Sequence, residues 1–205
     1  SGRTVKVRGL QVHGEGRSEA LAGQRVAVNL TGVEVADIAR GETLTEVDTV
    51  TVTRRADVRL ELLESAKPLR HGARVRFHQG TRELLARIVL AGPPEAEPGA
   101  SAFARLHLEA PAALVRGDRF ILRAYSPLAT IGGGTVLDPL PPRRGARTPA
   151  GFARFVQLSE GGIDAAAAIA VMIEEAGLRG LPLKQLIGRA GGQWSDRDRV
   201  VAELG

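Results

Sequence analysis

His78, Thr81 and Glu83 come nearest, by type and spacing, to acid–base chemistry: an imidazole and a carboxylate flanking a hydroxyl. A hydroxyl nucleophile needs an oriented base and a shaped elbow to present it, and neither accompanies this triple. Polar side chains also gather at hairpin ends because those ends are wet, and that reading is the stronger one. Asp118, between Gly117 and Arg119, reads as a turn-ordering acceptor of backbone hydrogen bonds rather than as a base. The run Gly132-Gly133-Gly134 lacks a following Gly-Lys-Ser or Gly-Lys-Thr and any announced helix N-terminus, so it is not a phosphate loop. Glycines there suit instead the close approach of another backbone or a flat ligand. The absence of cysteine excludes disulfides and thiolate metal sites, and the four histidines lack the spacing of a ligand set. What remains is cationic. Arg40 beside Gly41 either faces solvent, as Arg25 and Glu42 also would, or presents a guanidinium at a ligand rim with His13 near the same surface.

The elements that must position these residues read as short strands. Thr4–His13 and Ala22–Leu30 alternate as half-buried strands, with Gly9 placed for a bulge and Gly14–Ala20 as a polar connection. Val33–Ile38 reads as a single turn and Glu42–Val47 as a third strand. Three strands in so few residues make an incomplete barrel, with upstream residues expected to be missing. Thr49–Thr53, Val58–Leu63, Arg74–His78, Leu84–Leu90 and Phe103–Leu108 follow as strands, with Gln79–Glu83 joining two of them as a hairpin. Phe120–Tyr125 and Thr130–Asp138 complete the set, joined by a Ser-Pro corner. This pattern without intervening helices specifies a small antiparallel barrel.

After Asp138 the pattern changes. Pro141-Pro142-Arg143-Arg144-Gly145-Ala146-Arg147 reads as a basic linker, with RNA phosphate contact as the alternative. A short helix is expected over 152–158, a clear one over Ile163–Ala176 with Gly177 as C-cap, and another after Pro182. A further helix is expected near Asp196, and Trp194 reads as a packing residue. The helical tail has the order of a partial winged helix. The fold class is thus mainly β: small antiparallel barrels followed by a helical segment. The organisation is 1–47 incomplete barrel, 48–139 complete barrel, 140–151 linker and 152–205 partial winged helix.

In a chain of 205 residues, 43% hydrophobic content is that of a folded protein, while 3% aromatic content means aliphatic cores and few stacking platforms. A net charge of +5 tolerates a polyanionic partner without demanding one. Arginine greatly outnumbers lysine, which adds little. No apolar run reaches the length of a membrane span and no signal-peptide core is present, so a cytoplasmic protein with no membrane partner is expected.

Several stretches also resemble a known family. Val7-Arg8-Gly9-Leu10-Gln11-Val12-His13, Ala22 to Leu30 and Arg40-Gly41 resemble the second domain of the bacterial selenocysteine-specific elongation factor. Arg74 to Thr81, Gly117 to Arg123, Tyr125-Ser126-Pro127 and Thr130 to Pro139 resemble its third domain, and the helical tail its first winged helix. The barrels would accordingly be translation-factor barrels. The resemblance implies a complete factor that binds GTP with magnesium, carries selenocysteyl-tRNA to the ribosome and decodes a UGA codon marked by an mRNA hairpin. It implies that Arg40 lies near the aminoacyl pocket, where its guanidinium pairs with the selenolate or the ester region. His13, Arg25 and Asn29 occupy matching positions for aminoacyl-tRNA binding. His78, Gln79, Gly80, Thr81 and Arg123 match the surface expected to meet the tRNA backbone, and Arg143 and Arg144 are candidate RNA contacts in the linker.

Departures from the family shape the expectation as much. The nucleotide-binding loop, its lysine and the metal-holding acidic residues are not in this sequence, so no cofactor and no GTP hydrolysis are expected of it. The opening strands of the second domain and the distal modules that read mRNA are also missing, leaving at most a weak mRNA contact. A tRNA-binding and scaffold fragment is the leading reading, with the GTPase domain of the same factor as partner. The alternative is a non-catalytic module packing on a separate GTPase domain or a ribosomal component. Independent hydrolase activity comes last.

Overall fold

A computed structural model describes residues 2–47, 49–50, 52–160 and 165–191. Trp194, the helix expected near Asp196 and the first residues of the helix expected from Ile163 lie outside the described residues. The chain divides into two compact units, residues 1–42 and 43–205.

The first unit is a three-stranded antiparallel sheet of β1 (Lys6–Val12), β2 (Glu15–Arg17) and β3 (Val26–Thr31), in the order β2-β1-β3, with a 3-10 turn at Val35–Asp37. The β1–β3 register shifts between Val7 and Gly9, the bulge expected at the glycine. Strand β2 lies inside the stretch read as a polar connection. Its Glu-Gly-Arg sequence has no apolar alternation, and only its pairing to Leu10–Val12 makes it a strand. Val12 is the one buried hydrophobic residue described in this unit, while Val7, Leu21, Val28, Val35 and Ile38 are exposed.

The second unit contains a closed barrel. Its strands are β4 (Val52–Leu62), β6 (Arg74–Gln79), β7 (Arg82–Ala91), β9 (Ser101–Ala113), β10 (Arg119–Ala124) and β11 (Thr130–Asp138), while β5 (Leu69–Arg70) and β8 (Glu95–Ala96) pair as a separate ribbon. All pairings are antiparallel, and β10 against β6 closes the ring in the order β10-β11-β4-β9-β7-β6. Alternating residues fill the interior, among them Leu60, Phe77, Ile88, Leu106, Phe120 and Leu122; the Phe77 and Phe120 rings lie 5.1 Å apart. An added Cβ at Gly132, Gly133 or Gly134 would come well under 3.0 Å from the carbonyl oxygens of Glu61, Phe120 or Arg59. The triple glycine therefore serves the close approach of β11 to its two neighbours.

Two strand expectations are corrected. Glu42–Val47 forms no strand. Its polar groups bond locally instead: Glu42 Oε2 accepts from Ala39 N at 3.4 Å, and Thr49 Oγ1 donates to Glu46 O at 2.7 Å. The stretches read as separate strands at Thr49–Thr53 and Val58–Leu63 meet in one strand, β4, which is bulged between Thr53 and Arg55, where Thr53 Oγ1 accepts from Arg55 N. Arg54, Arg55 and Asp57 broke the apolar pattern, yet Ala56, Asp57 and Val58 are all buried because that stretch is covered on both faces.

The cover is helical. Helix α1 (Pro149–Glu160) is longer than expected from 152–158: Thr148 Oγ1 accepts from Gly151 N at 3.1 Å and Pro149 opens the first turn. Helices α2 (Ala165–Ala176) and α3 (Leu183–Arg189) follow, with Gly177 at φ +52 past the end of α2 and Pro182 just ahead of α3. Phe155, Leu158, Ile169, Met172 and Ile187 build a second core against Ala91 and Leu137 of the barrel wall, with Phe103 stacked on Phe155 at 5.6 Å. Beside it runs a buried ionic network. Arg105 binds Asp57 through two hydrogen bonds of 2.6 and 2.9 Å, Arg154 bridges Asp57, Asp138 and Glu175, and Arg189 holds Asp138 at 2.9 and 2.7 Å. Three guanidiniums and three carboxylates thus join β4, β9 and β11 to α1, α2 and α3. Within the stretch read as a linker, Arg143 and Arg144 are exposed but Ala146 is buried, and Pro142 O accepts from Arg105 Nη1 at 2.6 Å.

Candidate nucleic-acid interface

The β6–β7 hairpin is built by register. Phe77 faces Leu84, His78 faces Glu83 and Gln79 faces Arg82, leaving Gly80-Thr81 as a two-residue loop whose first position, at φ +56, favours glycine. Val75 and Phe77 point into the barrel, so Arg74, Arg76 and His78 take the outer face. Strand β10 lies alongside with Ile121 opposite His78 and Arg123 opposite Arg76, and Tyr125 follows its end. Arg74 makes a bidentate contact with Glu109 at 2.7 Å per bond, and Arg76 Nη1 donates to Glu83 Oε1 at 2.5 Å. The guanidinium carbons of Arg74 and Arg76 stand 4.8 and 5.7 Å from the centre of the exposed Tyr125 ring. The Arg76 hydrogen bond outweighs the opposing effect of burial and, with the charges of His78, Arg76 and Arg123, holds the Glu83 carboxyl below its usual range. Arg76 Nε, His78 Nε2 and Arg123 Nε are each buried without a hydrogen-bond partner. Such a strip offers guanidinium donors to an anion.

Of the residues singled out in the barrel sequence, His78 and Arg123 share this face, while Gly80 and Thr81 are exposed at the hairpin tip. Gln79 is engaged elsewhere: its Nε2 donates to Asp118 Oδ2 at 3.3 Å, and the same oxygen accepts from Val115 N at 3.0 Å. Asp118 orders its turn as its position suggested, with its carboxyl pushed up by burial against those two hydrogen bonds. Arg74, Arg76 and Tyr125 are the residues that sequence reasoning missed as a group. The alternation Arg-Val-Arg-Phe-His put both arginines outside, but their meeting with Arg123 and Tyr125 depends on the β6–β10 register.

In the first unit, His13 and Gly14 form a two-residue loop with φ of +54 and +84, a geometry that fixes the β1–β2 turn. Asn29 lies opposite Gly9 and lines an open groove of about 910 Å³ with Gln11 and Arg17, the latter paired to Glu15 at 2.6 Å. Arg25, Arg40 and His13 are exposed and do not line that groove, so only Asn29 of the four contributes to it. Arg144 lines a cleft of about 440 Å³ in the second unit, whose wall also carries Glu174 and Glu175, so its charge is mixed. Among the described residues no group of three or more histidine, aspartate or glutamate side chains could hold a metal, and no helix is long and apolar enough to cross a membrane.

Residues 54–143 match the family described as "Selenocysteine-specific elongation factor, beta-barrel domain". The chain is also similar to the selenocysteine-specific elongation factor of Desulfomicrobium baculatum, 44% identical over 141 residues, which is 68% of this chain and 22% of that protein. The factor of Escherichia coli is 32% identical over 72% of this chain and 22% of its own length, and that of Haemophilus influenzae is 26% identical over 72% and 24%. The chain thus spans less than a quarter of the length of these relatives. The matched region runs from β4 to just past β11, and the closed barrel of this chain belongs to the β-barrel family of the selenocysteine-specific elongation factor.

Proposed function

We propose that this chain contributes selenocysteyl-tRNA binding and domain scaffolding to a selenocysteine-specific elongation factor acting in the cytoplasm. The observation that carries the reading is the family match of the barrel, whose outer face bears Arg76, His78 and Arg123 with unmet donors. Phosphate contacts position a protein on RNA without reading its sequence, and arginine is suited to them. In this reading His78, Thr81 and Arg123 meet the tRNA backbone, with Gly80 letting it approach and Gln79 holding the hairpin to Asp118. Arg40, assisted by His13, Arg25 and Asn29, serves the aminoacyl end, and Arg143 and Arg144 add phosphate contacts. GTP, magnesium and hydrolysis belong to another domain of the factor, which is also the protein partner, and the ribosome is the site of action.

The test is a titration of labelled tRNA, charged and uncharged, over a series of salt concentrations. Binding should weaken steeply with salt, with a log–log slope near −0.9 per phosphate engaged on a duplex arm. Charged tRNA should bind more tightly, and Arg40→Ala should remove that preference. Absence of binding at low salt would reject the reading, and equal affinity for both tRNA forms would reject the aminoacyl role.

A further inference from the structure

Arg76 and Arg123 stand directly opposite each other on β6 and β10. Like charges in that position repel, and a sheet tolerates them best with an anion between. The anion present is Glu83, which faces His78 across the hairpin and accepts from Arg76 Nη1 at 2.5 Å. It satisfies the cluster only in part. Of the two guanidiniums only that of Arg76 is bonded to the carboxylate, while Nε of each and Nε2 of His78 have no hydrogen-bond partner. Buried donors of this kind cost stability until a ligand takes them. The side chains of Arg76 and Glu83 are 32% and 48% exposed, so the cluster opens to solvent. A carboxylate and a phosphodiester each offer a guanidinium two charged oxygens, and the two therefore compete for the same fork.

We propose that Glu83 holds the place of an RNA phosphodiester: its carboxylate engages Arg76 beside Arg123 and His78 in the free protein, and a backbone phosphate displaces it on binding. The inference rests on the tRNA reading above and adds a device to it. By competing for Arg76, Glu83 lowers affinity for every polyanion. Only an RNA that also engages neighbouring contacts recovers the loss, which makes the carboxylate a source of selectivity.

The experiment compares wild-type chain, Glu83→Gln, Arg123→Ala and the double variant by fluorescence anisotropy with an end-labelled tRNA transcript. Glu97→Gln, a charge loss in an exposed loop, controls for net charge. Glu83→Gln should bind about three- to tenfold more tightly at low salt, because the phosphate no longer has a carboxylate to displace. Arg123→Ala should bind more weakly, and the gain from Glu83→Gln should shrink in its background. Unchanged or weaker binding by Glu83→Gln, with its circular dichroism intact, would overturn the proposal and leave the tRNA reading standing. So would an equal gain from Glu97→Gln or an undiminished gain in the double variant. Failure of wild type and Glu83→Gln alike to bind would reject both readings.

Discussion

Asp138 has no exposed surface, yet it accepts hydrogen bonds from Arg154, Arg189 and Leu140 N. Burial pushes its carboxyl up, but the hydrogen bonds and charges of Arg189 and Arg154 prevail and hold it below the usual 3.8. A lowered folded-state value means that the ionised form stabilises the fold. That contribution is present above pH 3.8 and is lost as pH falls through that value and below it. Asp57 runs the other way: burial pushes it up despite Arg105 and Arg154, so its slope opposes that of Asp138 and the comparison must be made between variants. Asp138→Asn gives Arg189 a neutral amide in place of the carboxylate and leaves the 3.3 Å contact to Glu175 as its ion pair. Breaking a buried pair from one side costs about 3–5 kcal/mol. Urea unfolding should therefore show a large loss at pH 7 that narrows as the pH is lowered toward 3. A loss independent of pH would mean that the carboxylate charge is not what holds the network.

At the scale of elements, α1 turns the outer wall of the barrel into a second interior. Thr148 caps it, and Phe155 fills the space over Phe103 with no surface exposed. Phe155→Ala should cost about 3–5 kcal/mol through lost burial and a cavity, whereas Thr148→Ala should cost about 1 kcal/mol through one unmet N–H. Equal effects in chemical unfolding would contradict this division between packing and capping. The same helix explains what the sequence hid. Barrel strands were legible wherever one face is buried, as in Arg74–His78, because alternation then marks inside and outside. In β4 and β9 the outer face is covered too, so Asp57 and Arg105 sit where solvent-facing charges are expected while having almost no solvent. Arg105 and Arg154 bind Asp57 from 48 and 97 positions further along the chain, and no local pattern links such distances. The candidate interface was half legible for a similar reason. His78, Thr81 and Arg123 came from motif positions, whereas the meeting of Arg76 with Arg123 needed the strand register.

At the scale of the whole chain, the two units differ in what they contain. The barrel closes within residues 43–205, and both hydrophobic clusters lie there, whereas the first unit has Val12 as its one described buried hydrophobic residue. Ordering a residue costs roughly 1–2 kcal/mol in backbone entropy, so a core must be substantial to offset it. A chain beginning at Thr43 contains such a core and should fold with the barrel's circular dichroism and a cooperative melt. The candidate tRNA contacts divide in the same way. His78, Thr81 and Arg123 remain in the shortened chain, while Arg40, His13, Arg25 and Asn29 do not. If the barrel meets the tRNA backbone and the first unit meets the aminoacyl end, the shortened chain should retain salt-sensitive binding and treat charged and uncharged tRNA alike. The full chain should discriminate between them under the same conditions. Discrimination that survives removal of residues 1–42 would move the aminoacyl contact to the barrel unit, and loss of all binding would place the backbone contacts outside the barrel.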